Sequence, residues 1–313
     1  MKDNASEKLD FDNVERPTPA ELTAQLIDLL TVEKIDNDRF RGRPQVDGIG
    51  RVFGGQVIAQ GLQAAQASIG DGKVAHSLHA YFLRGGEEGP PIDYSIARDF
   101  DGRSFANRRA VASQDGTPIL NLTASFQTPE EGLAHENMPF PHVADPETLK
   151  SDYRLRREIF ADKLDLMSEG QRRFMVRPRP IEMRPTDGLH WMSTTPREPK
   201  SQTWFKTVGK LPDDPALHRA VIAYASDYTL LGTAAIAHGL SWMRGELVGA
   251  SLDHAIWFHA PARADEWLLY DTDSPWSGNG RGYNRGRIFT EGGTLVASVA
   301  QEGMMRKRRS KSN

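Results

Sequence analysis

The sequence contains no cysteine. Disulfides, thiolate metal sites and cysteine nucleophiles are thereby excluded, and the composition suits a reducing, cytoplasmic setting. No charge sign dominates: 39 basic residues face 42 acidic ones, for a net charge of −3 at pH 7. Such a balance provides no global field to draw nucleic acid or anionic lipid. No apolar run approaches the roughly 18 residues that a membrane-spanning helix needs. The start, Met1 to Lys8, has no apolar core and does not read as a secretory signal. No His-Glu-x-x-His or similar spacing marks a metal site, and no Gly-x-Ser-x-Gly elbow marks a nucleophilic serine. Gly278-Asn-Gly-Arg-Gly282 lacks the Lys-Ser/Thr of a phosphate loop and reads as a turn or bulge between strands.

What is present falls into two similar halves. Residues 1–16 are polar and read as disordered, and 307–313 as a solvated basic tail. Thr18 and Pro19 open a helix whose Leu22, Leu26, Leu29 and Leu30 share a face. Val32 to Arg41 reads as one strand. Val52 to Ala67 reads as a long helix of small and apolar residues, with Gln at 56, 60, 63 and 66. Four strands follow, at 75–84, 92–97, 104–114 and 119–127, the last two joined by the hairpin signal Asp115-Gly116. Residues 133–180 read as a linker carrying a charged helix. The pattern then returns: strands at 181–185 and 203–208, a helical section over 216–238, and strands at 250–259, 266–272, 281–289 and 294–304.

Local matches relate the halves at shifts of 175 to 178 residues: His79-Ala-Tyr-Phe with His254-Ala-Ile-Trp, Gly102-Arg with Gly280-Arg, and Asp115-Gly-Thr with Gly292-Gly-Thr. The expected architecture is therefore α+β: two copies, 17–132 and 181–306, each a long helix wrapped by an antiparallel sheet. This is a double hot dog, with the two sheets joined into one.

The motif that stands out is Tyr224-Ala-Ser-Asp227-Tyr-Thr229. Asp227 is a lone acid amid apolar residues, and a buried carboxylate without donors is costly. Two compatible readings arise. Ser226 or Asp227 N-caps the helix carrying Leu230 to Ala237, or Asp227 has a chemical role. Laying Gly54-Gly55-Gln56 over Ala225-Ser226-Asp227 puts an acid in the second copy only. Gly54 and Gly55 offer accessible backbone N–H groups, as an oxyanion site or as a plain turn.

Several stretches resemble the acyl-CoA thioesterase II family. They include Phe53-Gly-Gly-Gln, His76-Ser-Leu-His-Ala-Tyr-Phe-Leu-Arg, Tyr224-Ala-Ser-Asp, Leu252-Asp-His-Ala-Ile-Trp-Phe-His and Val296-Ala-Ser-Val-Ala-Gln-Glu-Gly-Met. The resemblance runs in order from about residue 20 to 306. It implies hydrolysis of fatty acyl-CoA to free acid and CoA, with Asp227, Ser251 and Gln301 holding the attacking water. It adds His76 as a secondary candidate. It requires no metal and no cofactor, since a thioester carbonyl is already activated and one positioned water and one carboxylate suffice. Arg103, Arg108, Arg109, Arg281, Arg285 and Arg287 could meet CoA phosphates, but nothing in the sequence assigns them. Competing readings are a non-catalytic acyl-CoA binder or sensor and a hydratase on the same fold. Sheet edges and faces that need covering lead us to expect a homodimer or homotetramer.

Overall fold

The computed structural model describes residues 9–44, 50–70, 72–192, 194–242 and 244–308. Most of the basic tail, 309–313, lies outside these residues. So do residues 1–8 of the N-terminal segment.

The first helix, α1 (Pro19–Leu30), forms as its sequence dictates. The Thr18 hydroxyl accepts from the Glu21 N–H and the Glu21 carboxylate accepts from the Thr18 N–H, with proline in the first turn. Val32 to Arg41 is not one strand. It is a hairpin of β1 (Val32–Asp36) and β2 (Arg39–Gly42), because Asp38 takes a left-handed φ of 78° and reverses the chain.

The helix α2 (Gly54–Ala67) is buried on nearly every side. Its glutamines are anchors: Gln56 Nε2 donates to the Arg43 carbonyl at 3.0 Å, and Gln60 Nε2 to the Leu29 carbonyl at 2.6 Å. Buried amides so paired tie the helix to the chain around it instead of destabilising it. Strands β3 (Val74–Phe82), β4 (Ile92–Asp101), β5 (Phe105–Gln114) and β6 (Thr117–Gln127) wrap α2. Asp115 and Gly116 both have positive φ, as the two-residue hairpin demands.

The connecting segment holds α3 (Asp152–Phe160) and α4 (Glu169–Val176). It has a small core of its own, with Phe160, Leu164, Met175 and Val176. Phe11 belongs to that core at 2 % exposure and meets Tyr153 edge-on. The expectation of disorder through residue 16 therefore fails for the described part. Phe11, with Leu9 and Val14 packed against the same cluster, gives that segment a burial site.

In the second half come β7 (Ile181–Pro185), β8 (Lys200–Thr207), α5 (Pro215–Ser226), α6 (Leu230–Ile236), β9 (Leu247–Ser251), β10 (Asp253–Phe258), β11 (Leu268–Gly278), β12 (Arg281–Thr290) and β13 (Leu295–Lys307). The helical section expected over 216–238 is thus broken at Asp227–Thr229, and the strand expected over 250–259 is broken at Leu252.

All strands join one antiparallel sheet, in the order β1-β2-β4-β5-β6-β3-β10-β13-β12-β11-β8-β7, with β9 on the far end of β13. The order reads symmetrically outward from the β3–β10 seam, which is the expected union of two hot-dog copies. At the seam Ala80 pairs with His254 and His79 with Ala255. Residues paired across antiparallel strands share a face, so His254 points to the core with Ala80 while His79 points outward onto Trp257. The match of His79 to His254 is therefore one residue out of register. A slip of one turns a strand residue to the opposite face.

Candidate functional site

The first turn of α2 meets the last turn of α5, and Asp227 sits at that junction. It is the C-cap of α5, not an N-cap of α6: the α6 cap is Thr229, which makes no side-chain bond to the helix. The capping reading of Asp227 is thus overturned. Ser226 ends α5 by donating its hydroxyl to the Ala223 carbonyl at 2.8 Å. Ser68 does the same for α2, to the Ala65 carbonyl at 2.7 Å. Contacts favour laying the start of α2 over Ala225–Asp227: α2 packs against β4, β5 and β6 as α6 packs against β11, β12 and β13, and Tyr94 reaches the Val57 carbonyl at 3.3 Å as Tyr270 reaches that of Ser226.

With its capping role removed, Asp227 has other partners. Gln301 Nε2 donates to Asp227 Oδ1 at 2.6 Å, and Ser251 Oγ donates to the same oxygen at 3.3 Å. The Gly55 backbone N–H also donates to the carboxylate. Burial raises the Asp227 pKa to about 6, against the opposing pull of Gln301, Ser251 and Gly55. Tyr270, deeply buried, closes the floor by donating its hydroxyl to the Ser226 carbonyl at 2.9 Å.

The break at Leu252 builds this site. Ser251 pairs with Gly303 and Ala255 with Ala300, so β9–β10 carries one more residue than the facing stretch of β13. That is a bulge, in which the Asp253 side chain accepts the Glu302 N–H at 2.6 Å. Residues three apart in a regular strand face opposite ways. The bulge lets both Ser251 and His254 reach the cluster of Asp227 and Gln301.

His254 escaped the sequence reading as a site residue. It is fully buried, and burial lowers its pKa to about 3, so it is neutral. Its Nδ1 lies 3.1 Å from Gln301 Nε2 and its Nε2 lies 2.9 Å from Ser226 Oγ. Ser226 donates to Ala223, so His254 Nε2–H must donate to Ser226 and Nδ1 must accept from Gln301. This fixes the amide: both N–H bonds of Gln301 are engaged, and its buried Oε1 has no partner among the described residues. The repeat did not single out His254, since its letter match, His79, faces the other way.

Gly54 is glycine for a steric reason. A Cβ there would lie 2.6 Å from Asp227 Oδ2 and 2.9 Å from the Phe82 ring. Phe53, the residue before α2, supplies no side-chain cap, so donors of the first turn remain directed at the site.

His76 does not join this cluster. Its Nε2 is 2.8 Å from Ser125 Oγ and its ring meets Phe105 edge-on, both within the N-terminal sheet. Five of the six arginines considered for phosphate binding are held by acids: Arg108 by Asp101, Arg109 by Asp99, Arg281 by Glu302, Arg285 by Asp273 and Arg287 by Asp271. Among the described residues no group of three or more His, Asp or Glu could hold a metal ion. No described helix is long and apolar enough to cross a membrane.

The helix-wrapping double sheet is a double hot-dog fold, and one carboxylate, one hydroxyl and one amide meet at the junction of its copies. Comparisons with known proteins make the class definite. The acyl-CoA thioesterase N-terminal domain matches residues 43–127, and the acyl-CoA thioesterase C-terminal domain matches 161–305. The human protein named acyl-coenzyme A thioesterase 8 is 37% identical over 295 residues, covering 92% of this chain and 91% of its own. Acyl-CoA thioesterase 2 of Haemophilus influenzae is 34% identical over 287 residues, covering 92% and 99%. A crystal structure of an acyl-CoA thioesterase II from Mycobacterium marinum superposes with a TM-score of 0.72 at 37% identity, covering 90% of this chain and 98% of that one. The chain belongs to the acyl-CoA thioesterase II family.

Proposed function

We propose that this protein hydrolyses fatty acyl-CoA to a free fatty acid and CoA, with Asp227 as general base and Ser251 and Gln301 as the groups that hold the attacking water. The observation that carries the reading is the convergence of Ser251 and Gln301 on a single Asp227 oxygen whose pKa is raised to about 6. A base poised near neutrality both exists ionised at pH 7 and takes a proton effectively. The unpartnered Gln301 Oε1 accepts one hydrogen of the water, and Asp227 the other. The water oxygen bonds to the thioester carbon while Asp227 takes a proton. The carbonyl oxygen, now negative, is met by the Gly54 N–H at the α2 start, the Gly55 N–H being held by Asp227. Collapse breaks the C–S bond, and the proton held by Asp227 passes to the leaving thiolate. Near-attack positioning of the water supplies up to roughly 7–11 kcal/mol of the barrier reduction.

Release of CoA thiol from a panel of acyl-CoAs tests this. Turnover by the native chain that disappears in Asp227→Asn supports the assignment. Turnover unchanged in that variant removes Asp227 from the reaction, and none in the native chain favours the non-catalytic binder. The same reading includes a cytoplasmic protein that assembles as a homodimer or homotetramer. Its support is the outer face around β3 to β5, where Tyr81 is 60% exposed and Phe100 55% exposed.

A further inference from the structure

A cavity of about 1010 Å³ opens beside the proposed site. That is the scale of pockets holding whole organic ligands, roughly 300–1,000 Å³. It lies between α1, the Arg43–Pro44 turn, α4 and the segment Arg177–Pro180. Tyr224 and Tyr228 form its inner wall. Tyr228 directly follows Asp227, and its ring packs against Phe53 at the start of α2, 4.8 Å between centroids. Two residues that flank Asp227 in sequence thus line the cavity.

Its wall is basic. Five arginines line it, against Glu15, Asp28 and Glu169. Arg177 and Arg179 both lie over the ring of Phe174, at 5.5 and 4.8 Å, which holds the two guanidinium groups close together. Behind them the charge is not balanced. Arg179 Nη1 and Arg156 Nε both donate to Asp152 Oδ2, at 3.3 and 3.2 Å, so two buried guanidinium groups share one carboxylate oxygen. The Arg179 side chain is only 10% exposed, and its Nε has no partner among the described residues; nor has Arg156 Nη2. Burial, followed by the charge of Arg179, lowers the Arg156 pKa to about 10. A buried cation in excess over its carboxylates is unfavourable until an anion arrives.

We propose that this cavity binds the phosphorylated end of the CoA thioester, with Arg177 and Arg179 meeting its phosphates and the pantetheine arm running past Tyr228 to Asp227. The inference rests on the acyl-CoA reading above. It replaces the sheet arginines as phosphate partners, since most of those already face acids. Arginine suits the task because its planar fork grips phosphate through two parallel bonds.

The test uses the full chain and two probes, coenzyme A and pantetheine, titrated calorimetrically. Coenzyme A should bind at least ten-fold more tightly, with an advantage that shrinks as salt rises. Arg177→Gln should cut the preference about ten-fold, and Arg177→Lys should restore part of it. Arg179→Gln should act in the same direction; if circular dichroism shows it unfolded, Arg177→Gln decides alone. Equal binding of the two probes, or full coenzyme A affinity in Arg177→Gln, overturns the subsite, and the cavity then belongs to the acyl chain. Thiol release measured alongside separates the two readings. Turnover with arginine-indifferent coenzyme A binding sinks the subsite only. Arginine-dependent binding without turnover sinks the hydrolase only.

Discussion

The two copies of the hot-dog unit share a framework and differ where their helices meet. In each, a buried tyrosine of the sheet reaches a carbonyl of the helical section, Tyr94 to Val57 at 3.3 Å and Tyr270 to Ser226 at 2.9 Å. At the junction the N-terminal copy presents Gly54, Gly55 and Gln56, and the C-terminal copy Ala225, Ser226 and Asp227. Gln56 is neutral and gives its amide to the Arg43 carbonyl, whereas Asp227 is an acid met by Gln301 and Ser251. The groups around Asp227 are neutral, with His254 behind Gln301 and the Tyr270 hydroxyl on the neighbouring carbonyl. A cation beside the acid would pull its pKa down, whereas neutral buried groups leave burial to push it up. The N-terminal copy contributes the start of α2, so the site exists only because the two are joined.

This comparison can be broken from the largest effect downward. Asp227→Asn should lower kcat/KM for acyl-CoA by about a thousand-fold or more, the scale of removing a general base together with its positioned water. Gln56→Asp in the other copy should restore none of it, because Gln56 faces the Arg43 carbonyl and not partners like Ser251 and Gln301; restored thiol release would show the copies to be interchangeable. Gln301→Ala should cost about a hundred-fold, with kcat falling more than KM rises. Gln301→Glu sharpens the electrostatic half of the argument. A second carboxylate beside Asp227 should move the acid limb of the pH–rate profile, expected near 6 in the native protein, to higher pH.

Gly54→Ala brings a methyl group to 2.6 Å from the carboxylate. It should reduce activity at least ten-fold and destabilise by about 1–3 kcal/mol in chemical denaturation. Gly61, in the middle of the same helix, is the control. A Cβ there meets only Tyr94 and Leu122 at ordinary contact distances of 3.5–3.7 Å. Gly61→Ala should stabilise by up to about 1 kcal/mol through helix propensity, with activity kept.

The pH dependence of stability has a definite sign. The folded-state pKa of Asp227 lies above its ordinary value of 3.8, so this group's contribution to stability is greatest below about pH 4 and falls as pH rises through about 6. At pH 7.5 Asp227→Asn should therefore melt higher than the native chain, by about 1–2 kcal/mol. An inactive variant that is also less stable at that pH would contradict the burial of an ionised acid.

Much of the fold was legible from one dimension. The two long helices, the Asp115-Gly116 hairpin and the recurrence of strands after each helix follow from local periodicity and turn chemistry. The register between the copies did not follow. A shift of 175 matched letters well but put His79 and His254 on opposite faces. Letters match without regard to the face they occupy. Asp227, Ser251 and Gln301 were named through family likeness. Their meeting required α5 to stop at Ser226, the strand to bulge at Leu252 and β13 to run on between them. None of these three events has a strong local signature.

Taken alone, the sequence determined the composition class, the duplication and an acid unique to the second half, because these depend on residue type and spacing. Tertiary structure alone decided that the acid is buried among donors, with its pKa raised to about 6, and that it does not N-cap α6. Its pKa is set by burial and by donors brought from residues 24 and 74 positions away. It also decided that a buried histidine orients the amide. Desolvation and hydrogen-bond direction are properties of a neighbourhood, and the neighbourhood forms only when both sheets close on their helices.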